Sequence, residues 1–268
     1  MTRLLVLYNQ PTDAAAFDVY YRDKHIPLAK TIPGVRSCTV SAQAPGLMAG
    51  GPAPYLVAEL DFDSPADFQA ALASPEGQAT AADLAALPVG AFAWVLLGGY
   101  ATPEGAGEDV FGDWLSALPR ETRLMFDPTP LALRLAPARL APALARADWV
   151  SANASEARAL TGFDPPRAAE ALAQGRLGAT VRDGAAGSWL AVAGEAAAHV
   201  AGFPVEAVDA TGAGDTHNGA FIAARLAGKT PLEAARFANA AAALSVLRLG
   251  AATAPSLAET LGFLGARG

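Results

Sequence analysis

VDATGAGDTHNGAFIAARL, residues Val208–Leu226, is the stretch on which the interpretation of this chain depends. Its apolar spacing predicts a helix from about Gly212 to Leu226. The helix begins at a turn formed by Gly212, Ala213 and Gly214. Residues without bulky side chains let backbone N–H groups converge on one small space. Because a helix N-terminus carries about half a positive charge, the stretch predicts an anion hole suited to a phosphoryl group.

Asp215 follows this turn at once, so its carboxylate is expected beside the anion hole. A carboxylate there can accept the proton of a hydroxyl that attacks a phosphoryl group. The alternative is an acidic residue that only complements the helix dipole. Two other glycine motifs do not fit, because the chain lacks the phosphate-binding pattern G-x-x-x-x-G-K-[ST], and Gly219 comes too late for a dinucleotide-binding turn.

Composition restricts the possible classes of protein. The chain has 268 residues, of which 52% are hydrophobic, and this suits one large or two modest domains. A net charge of -7 argues against a nucleic-acid partner. Cys38 is the single cysteine, which fits a reducing cytoplasm. We see no signal peptide and no apolar run long enough to cross a membrane, so we expect a cytoplasmic protein without a membrane partner.

Residues 1–101 are predicted to form the first domain. Strand and helix patterns alternate in the order β-α-β-β-α-β, which is the ferredoxin-like arrangement. Asp13 is the predicted N-cap of the first helix, which we expect to end near Lys24, and Ser64 caps the helix that begins at Pro65. Helices on one face leave the other face of the sheet uncovered, so we expect a homodimer through this domain.

This first domain resembles the EthD family of small dimeric α/β-barrel proteins. The resemblance lies in YNQPTDAAAFDVYYRDKHIPLAKTIPGVR (Tyr8–Arg36) and in SPEGQATAADL (Ser74–Leu84). It implies a role in a degradative pathway and singles out His25 as a catalytic candidate, because a histidine can act as acid or base near neutral pH. The alternative is that His25 only caps or packs a helix end.

A second domain is predicted at residues 109–268, after the polar linker TPEGAGE (Thr102–Glu108). Helix and strand patterns alternate along it, which indicates an α/β sheet. Its sequence resembles the ribokinase-like (PfkB) carbohydrate kinases over about residues 120–256, in the segments FDPTP, SANASEARALTG, RDGAAGS and the stretch that begins at Val208. The resemblance implies a partial ribokinase-like α/β/α fold and makes Asp215 the catalytic base beside the anion hole of Gly212, Ala213 and Gly214.

The same resemblance implies ATP and Mg²⁺ as cofactors. Asn153 and Glu156 match the motif that orders magnesium and phosphate, while Asp209 and Thr211 lie where some members bind a monovalent cation. The predicted nucleotide-binding residues are Arg182, Asp183, Gly184, Gly187 and Asn239. Arg182 departs from the family, which often has threonine there. Alternatives remain open, since Asn153 and Glu156 also have the form of a helix capping box, and Asn239 could be an ordinary packing residue.

The family's N-terminal half, which supplies the sugar contacts, has no counterpart in residues 1–101. One hypothesis is therefore a kinase for a sugar or nucleoside whose acceptor contacts come from a partner chain or from the first domain. A second is an EthD-like ligand-binding or degradative-pathway protein with a passive kinase remnant. A third is a non-catalytic module for ATP sensing or assembly, and a fourth is a recent gene fusion or a sequence artefact that joins two truncated reading frames.

Overall fold

The structure is a computed structural model that describes residues 2–8, 10–41, 55–84, 87, 92–99, 112–113, 115–116, 118, 120–135, 137–250 and 253–267. Contacts between residues divide the chain into two compact units. The N-terminal unit ends at Asp148, and the C-terminal unit begins at Trp149.

The N-terminal unit contains a sheet of five strands in the described part of the chain. Its order is β2-β3-β1-β4-β5. The strands are β1 (Thr2–Tyr8), β2 (Val35–Val40), β3 (Leu56–Phe62), β4 (Phe92–Gly98) and β5 (Arg123–Asp127). The first four pair antiparallel in the ferredoxin-like order, as predicted. Alternate residues of β3, such as Ala58, Leu60 and Phe62, are buried, as expected when one face of a sheet packs against helices.

Helices of the N-terminal unit begin where the capping residues predict. They are α1 (Ala14–Tyr20), α2 (Ile26–Ala29), α3 (Pro65–Ala73), α4 (Pro75–Asp83) and α5 (Pro137–Arg146). The Asp13 carboxylate accepts from the amide of Ala16, and the hydroxyl of Ser64 accepts from the amide of Asp67. These bonds satisfy N–H groups that have no partner inside the helix.

The first helical segment is longer than the sequence predicted. It does not end near Lys24, because a π-helical turn over Tyr21–His25 connects α1 to α2. His25 therefore lies inside a helical segment that continues to Ala29, and it is buried. The side chain of His25 makes no capping hydrogen bond, and its burial is compatible with the packing alternative, so its catalytic role stays a prediction. π-Helical turns occur frequently at functional sites.

Strand β5 connects the two predicted domains. It pairs parallel with β4, from Trp94 opposite Arg123 to Gly98 opposite Asp127. The sequence predicted β4 in the first domain and β5 in the second. The pairing gives β5 a hydrogen-bonded neighbour from the first predicted domain, so this edge of β5 is not left unpaired. The domain bounds at 101 and 109 stay a prediction, although the contacts divide the chain after Asp148.

The C-terminal unit contains four strands in the order β6-β7-β8-β9. They are β6 (Trp149–Asn153), β7 (Gly178–Arg182), β8 (Gly187–Val192) and β9 (Ala198–Ala201). The β6–β7 pair is parallel, whereas β7–β8 and β8–β9 are antiparallel. The Trp149 ring packs against Phe221, and its indole N–H donates to the buried hydroxyl of Thr180.

Helices flank this second sheet. They are α6 (Ala154–Thr161), α7 (Pro165–Ala173), α8 (Ala213–Leu226), α9 (Pro231–Ser245) and α10 (Leu257–Gly265). Helix α9 is rich in buried alanines and packs closely on α8. It ends at Ser245, whereas the sequence pattern predicts a helix that continues to Arg248. Among the described residues, no helix is long and apolar enough to cross a membrane.

Candidate active site

The first turn of α8 carries the predicted catalytic base. Gly212 is the N-cap and has a φ of 79°, a left-handed conformation that favours glycine. Asp215 lies in the first helical turn and is exposed. The amide of Ala213 already donates to the carbonyl of Ala210 at 3.2 Å, so this predicted anion-hole group is bonded within the turn. The amide of Gly214 belongs to the first helical turn, where N–H groups have no partner inside the helix.

Arg182 reaches the same turn from the end of β7. Its Nη1 atom donates to the carbonyl of Gly214 at 3.0 Å and to Oδ1 of Asn218 at 3.3 Å. A Cβ atom at position 214 would lie 2.8 Å from that Nη1, so the absence of a side chain on Gly214 makes room for the guanidinium. The structure therefore brings a fixed positive charge to the predicted anion hole.

Asn153 and Glu156 form the capping box that the sequence left open as an alternative. The Asn153 side chain accepts from the Glu156 amide at 2.9 Å, and Glu156 Oε2 accepts from the Asn153 amide at 2.8 Å. Glu156 is 2% exposed and lies 3.6 Å from Nη2 of Arg182. The carboxylate of Glu156 thus faces the guanidinium of Arg182. Asn153 and Glu156, both predicted to order a metal ion, fix the start of α6.

Asp209 connects two loops through its two carboxylate oxygens. One accepts from the Thr211 amide at 2.9 Å, and the other accepts from the Gly250 amide at 2.9 Å. The backbone hydrogen bond from Thr211 is the main reason why the pKa of Asp209 is lowered, so the carboxylate is ionised at neutral pH. Asp209 and Thr211, which were predicted to bind a monovalent cation, therefore fix the loop before α8. The carboxylate of Asp209 supplies a negative charge there. In the described residues, no cluster of three or more His, Cys, Asp or Glu side chains could hold a metal ion.

Asn239 lies inside the C-terminal unit. Its Nδ2 donates to the carbonyls of Val200 at 2.9 Å and Ala201 at 3.2 Å, while its Oδ1 accepts from Nε2 of His217 at 3.1 Å. The side chain is 6% exposed and joins α9 to β9 and α8. This arrangement matches the packing alternative, and the adenine-pocket role of Asn239 stays a prediction.

Residues 183–187 connect β7 to β8, and they include three predicted nucleotide-binding residues. The amide of Asp183 donates to the carbonyl of Gly187 at 2.7 Å, and a short 3₁₀ turn begins at Gly184. Gly187 has a φ of 104°, and a Cβ atom there would lie 2.2 Å from the carbonyl oxygen of Val200. Gly187 is therefore required by the backbone, whether or not a nucleotide binds.

His25, the other catalytic candidate, lies in the N-terminal unit and belongs to a separate site. Its Nδ1 is 2.7 Å from Oδ2 of Asp83, and Tyr20 donates its hydroxyl to Oδ1 of the same carboxylate at 2.7 Å. The sequence analysis missed Asp83. Asp83 lies within the quoted segment Ser74–Leu84, but no local pattern connects it to His25, which is 58 residues away.

Family models match both parts of the chain. The model of the pfkB family of carbohydrate kinases matches residues 70–258, which is more than half of the sequence. The model of the EthD domain matches residues 9–87 and overlaps the first match.

Three relatives illustrate these matches. An uncharacterized 11.0 kDa protein from the thcB-thcC intergenic region of Rhodococcus erythropolis is 44% identical over 85 residues, which are 32% of this chain and 82% of that protein. A ribokinase of Haemophilus influenzae is 39% identical over 125 residues, which are 44% of this chain and 40% of that protein. A ribokinase II homologue of E. coli, solved with ATP and Mg²⁺, is 27% identical with a TM-score of 0.57, over 65% of this chain and 59% of that one.

The chain therefore spans about two fifths of the curated ribokinase and somewhat more than half of the solved relative. The matched segments contain the helix start at Gly212, the loop at Arg182 and the capping box at Asn153. The N-terminal helical segment with His25 lies inside the second match. The chain belongs to the pfkB family of carbohydrate kinases and carries an EthD domain in its N-terminal part.

Proposed function

We propose that the C-terminal part of this chain binds ATP with Mg²⁺ and transfers a phosphoryl group to a hydroxyl of a sugar or nucleoside. One observation carries this proposal. The left-handed Gly212 starts α8 so that Asp215 is exposed in the first turn, one residue after Gly214, whose carbonyl accepts from the guanidinium of Arg182. A base and a fixed cation at a helix N-terminus are the groups that phosphoryl transfer requires.

The residues present fit the phosphate end of a nucleotide. The helix N-terminus, the positive φ of Gly212 and the guanidinium of Arg182 all favour an anion at this turn. Mg²⁺ prefers oxygen ligands and keeps several waters. Since Glu156 is buried and faces Arg182, Asn153 and Glu156 would order Mg²⁺ through water rather than bind it directly. Asp209 and Thr211 would order the monovalent cation that some family members use.

Each residue then has a defined task in the proposed reaction. Asp215 accepts the proton that the acceptor hydroxyl loses as its oxygen bonds to the transferred phosphorus. The bond from that phosphorus to the bridging oxygen breaks, and ADP leaves with the electron pair. Arg182 and the amide of Gly214 hold the oxygens of the transferred group. Bound Mg-ATP supplies the phosphoryl group and shields its charge. The acceptor contacts come from a partner chain or from the N-terminal domain.

The first test measures ATP consumption over a panel of sugars and nucleosides. We expect Asp215→Asn to lower turnover by at least about 100-fold, because the general base is lost while the fold is kept. Glu206→Gln, which changes an exposed acid of the same unit, serves as the matched control and should keep the wild-type rate. Equal rates for Asp215→Asn and wild type would refute the assignment of the base.

A second test separates binding from turnover. We expect Arg182→Met to weaken ATP binding about 10- to 100-fold in calorimetry, because charge-assisted contacts to phosphate are lost. Asp215→Asn should bind ATP like wild type. Arg158→Met removes an arginine whose side chain is 67% exposed and is the control for the loss of one charge. An ATP affinity that is the same in Arg182→Met and in wild type would contradict the phosphate-binding role of Arg182.

A second function is proposed for the N-terminal unit, namely EthD-like binding of a small ligand. The observation that favours it is a buried histidine, held by a carboxylate, that lines a mostly apolar cavity. This function does not depend on Asp215. If ATP neither binds nor turns over, the kinase part is a passive remnant and the ligand-binding function still stands.

A further inference from the structure

A cavity of about 50 Å³ lies between the sheet and the helices of the N-terminal unit. Aliphatic and aromatic side chains line most of it, among them Val6, Leu60, Phe62 and Val95 from the sheet. Ala81 and Leu84 contribute from α4. A cavity of this size exceeds the roughly 15 Å³ that one water needs and is smaller than the about 150 Å³ that holds a benzene molecule in another protein.

His25 is a polar group on this apolar wall. It is 4% exposed, and its ring lies 4.9 Å from the ring of Tyr21. Nearby, the hydroxyl of Tyr21 donates to the hydroxyl of Tyr8 at 3.4 Å, so those two groups are bonded to each other. Nδ1 of His25 faces Asp83, which is not a lining residue. Nε2 is therefore the ring nitrogen that a molecule in the cavity can reach.

The partners of His25 fix which hydrogen bond Nε2 can make. Asp83 receives the hydroxyl of Tyr20 on one oxygen, so its other oxygen accepts the Nδ1 proton of His25. Burial lowers the pKa of His25, and the hydrogen bond and charge of Asp83 only partly oppose this effect. The neutral ring then carries its proton on Nδ1, and Nε2 presents a lone pair. Among the described residues, no hydrogen bond uses Nε2 of His25.

We propose that this cavity binds a small, mostly hydrocarbon alcohol whose hydroxyl donates to Nε2 of His25. An apolar wall binds the hydrocarbon part, and a buried acceptor selects a hydroxyl over a carbonyl, because a carbonyl oxygen would leave the lone pair of Nε2 unpaired. The volume favours a hydrocarbon part that is smaller than benzene. The inference rests on the second proposed function and is independent of the kinase site.

The test compares alcohols with the ketones of the same skeleton. The full-length protein is titrated with 2-butanol and 2-butanone, and then with 2-propanol and acetone. The readout is the nitrogen chemical shifts of the histidine rings in labelled protein. We expect each alcohol to bind at least tenfold more tightly than its ketone and to shift Nε2 of His25 alone. His199 and His217 complete the set of three histidines and serve as internal controls.

Two variants make the result specific. His25→Gln should remove the preference for alcohol over ketone, and near-ultraviolet circular dichroism checks that it stays folded. Ala81→Leu fills the cavity without touching His25 and should abolish binding of all four compounds. Because Ala81→Leu leaves the His25–Asp83 pair in place, it tests the cavity even if His25→Gln does not fold.

Two outcomes would overturn the inference, and they are distinguishable. Equal affinity for alcohols and ketones in the cavity would leave small-ligand binding in place and refute the hydroxyl assignment. No shift of His25 with any of the four compounds would refute both the inference and the second proposed function.

Discussion

His217 shows how a single residue can couple stability to pH. It is 3% exposed in α8, its Nε2 donates to Asn239, and its Nδ1 has no hydrogen-bond partner within the described residues. Burial, and then the positive charge of Arg182, lower the pKa of His217 to about 3. The folded state thus holds a neutral imidazole, whereas the unfolded chain protonates near its ordinary value of about 6.5.

The sign of the effect follows from which state binds more protons. Between pH 6.5 and about 3 the unfolded state binds more protons at this histidine than the folded state does. The contribution of His217 to the free energy of unfolding is therefore greatest above about pH 6.5, and it falls by up to about 1.4 kcal/mol per pH unit as the pH is lowered. We expect wild type to lose about 1.4 kcal/mol more than His217→Gln between pH 7.5 and 5.5. Urea denaturation at the two pH values measures this, and parallel losses in both proteins would disprove it.

At the scale of elements, the connection between β7 and β8 depends on Gly187. An alanine there would require a φ near 104° and would place its Cβ 2.2 Å from a carbonyl oxygen of β9. We expect Gly187→Ala to lower the free energy of unfolding by at least about 3 kcal/mol, measured by urea denaturation. Because the loop also supports Arg182, ATP binding should weaken in the same variant.

Gly194→Ala is the matched control for this prediction. Gly194 also has a positive φ, of 81°, but no neighbouring atom would meet its Cβ. We therefore expect Gly194→Ala to lower the free energy of unfolding by only about 1 kcal/mol, which is the cost of the positive φ alone. Similar losses in the two variants would indicate that the close approach of β9 contributes nothing.

At the scale of the whole molecule, the pairing of β4 with β5 tests where the N-terminal domain ends. A fragment of residues 1–101 lacks β5, including the fully buried side chains of Leu124 and Phe126. A fragment of residues 1–148 keeps them. We expect the longer fragment to melt cooperatively and at least about 5 °C higher, because β4 then pairs with both β1 and β5, whereas only β1 remains in the shorter fragment. Equal melting temperatures in circular dichroism would support the predicted bounds at 101 and 109.

Local chemistry made much of the fold predictable from the sequence. Caps at Asp13 and Ser64, the glycine turn at Gly212 and period-two strands each depend on neighbours within a few residues. The π-helical turn was not predictable, because its residues also fit an ordinary α-helix, and tertiary packing around His25 decides between the two forms.

The sequence alone determined both families, the position of Asp215 after a glycine turn and the order of the elements, because these depend on short segments with one favoured local geometry. Only the tertiary structure decided that Arg182 approaches Gly214 and Glu156, that Asp83 holds His25, and that β4 pairs with β5. Each of these contacts joins residues more than twenty positions apart, and such contacts form through packing and charge in three dimensions, which a linear pattern does not encode.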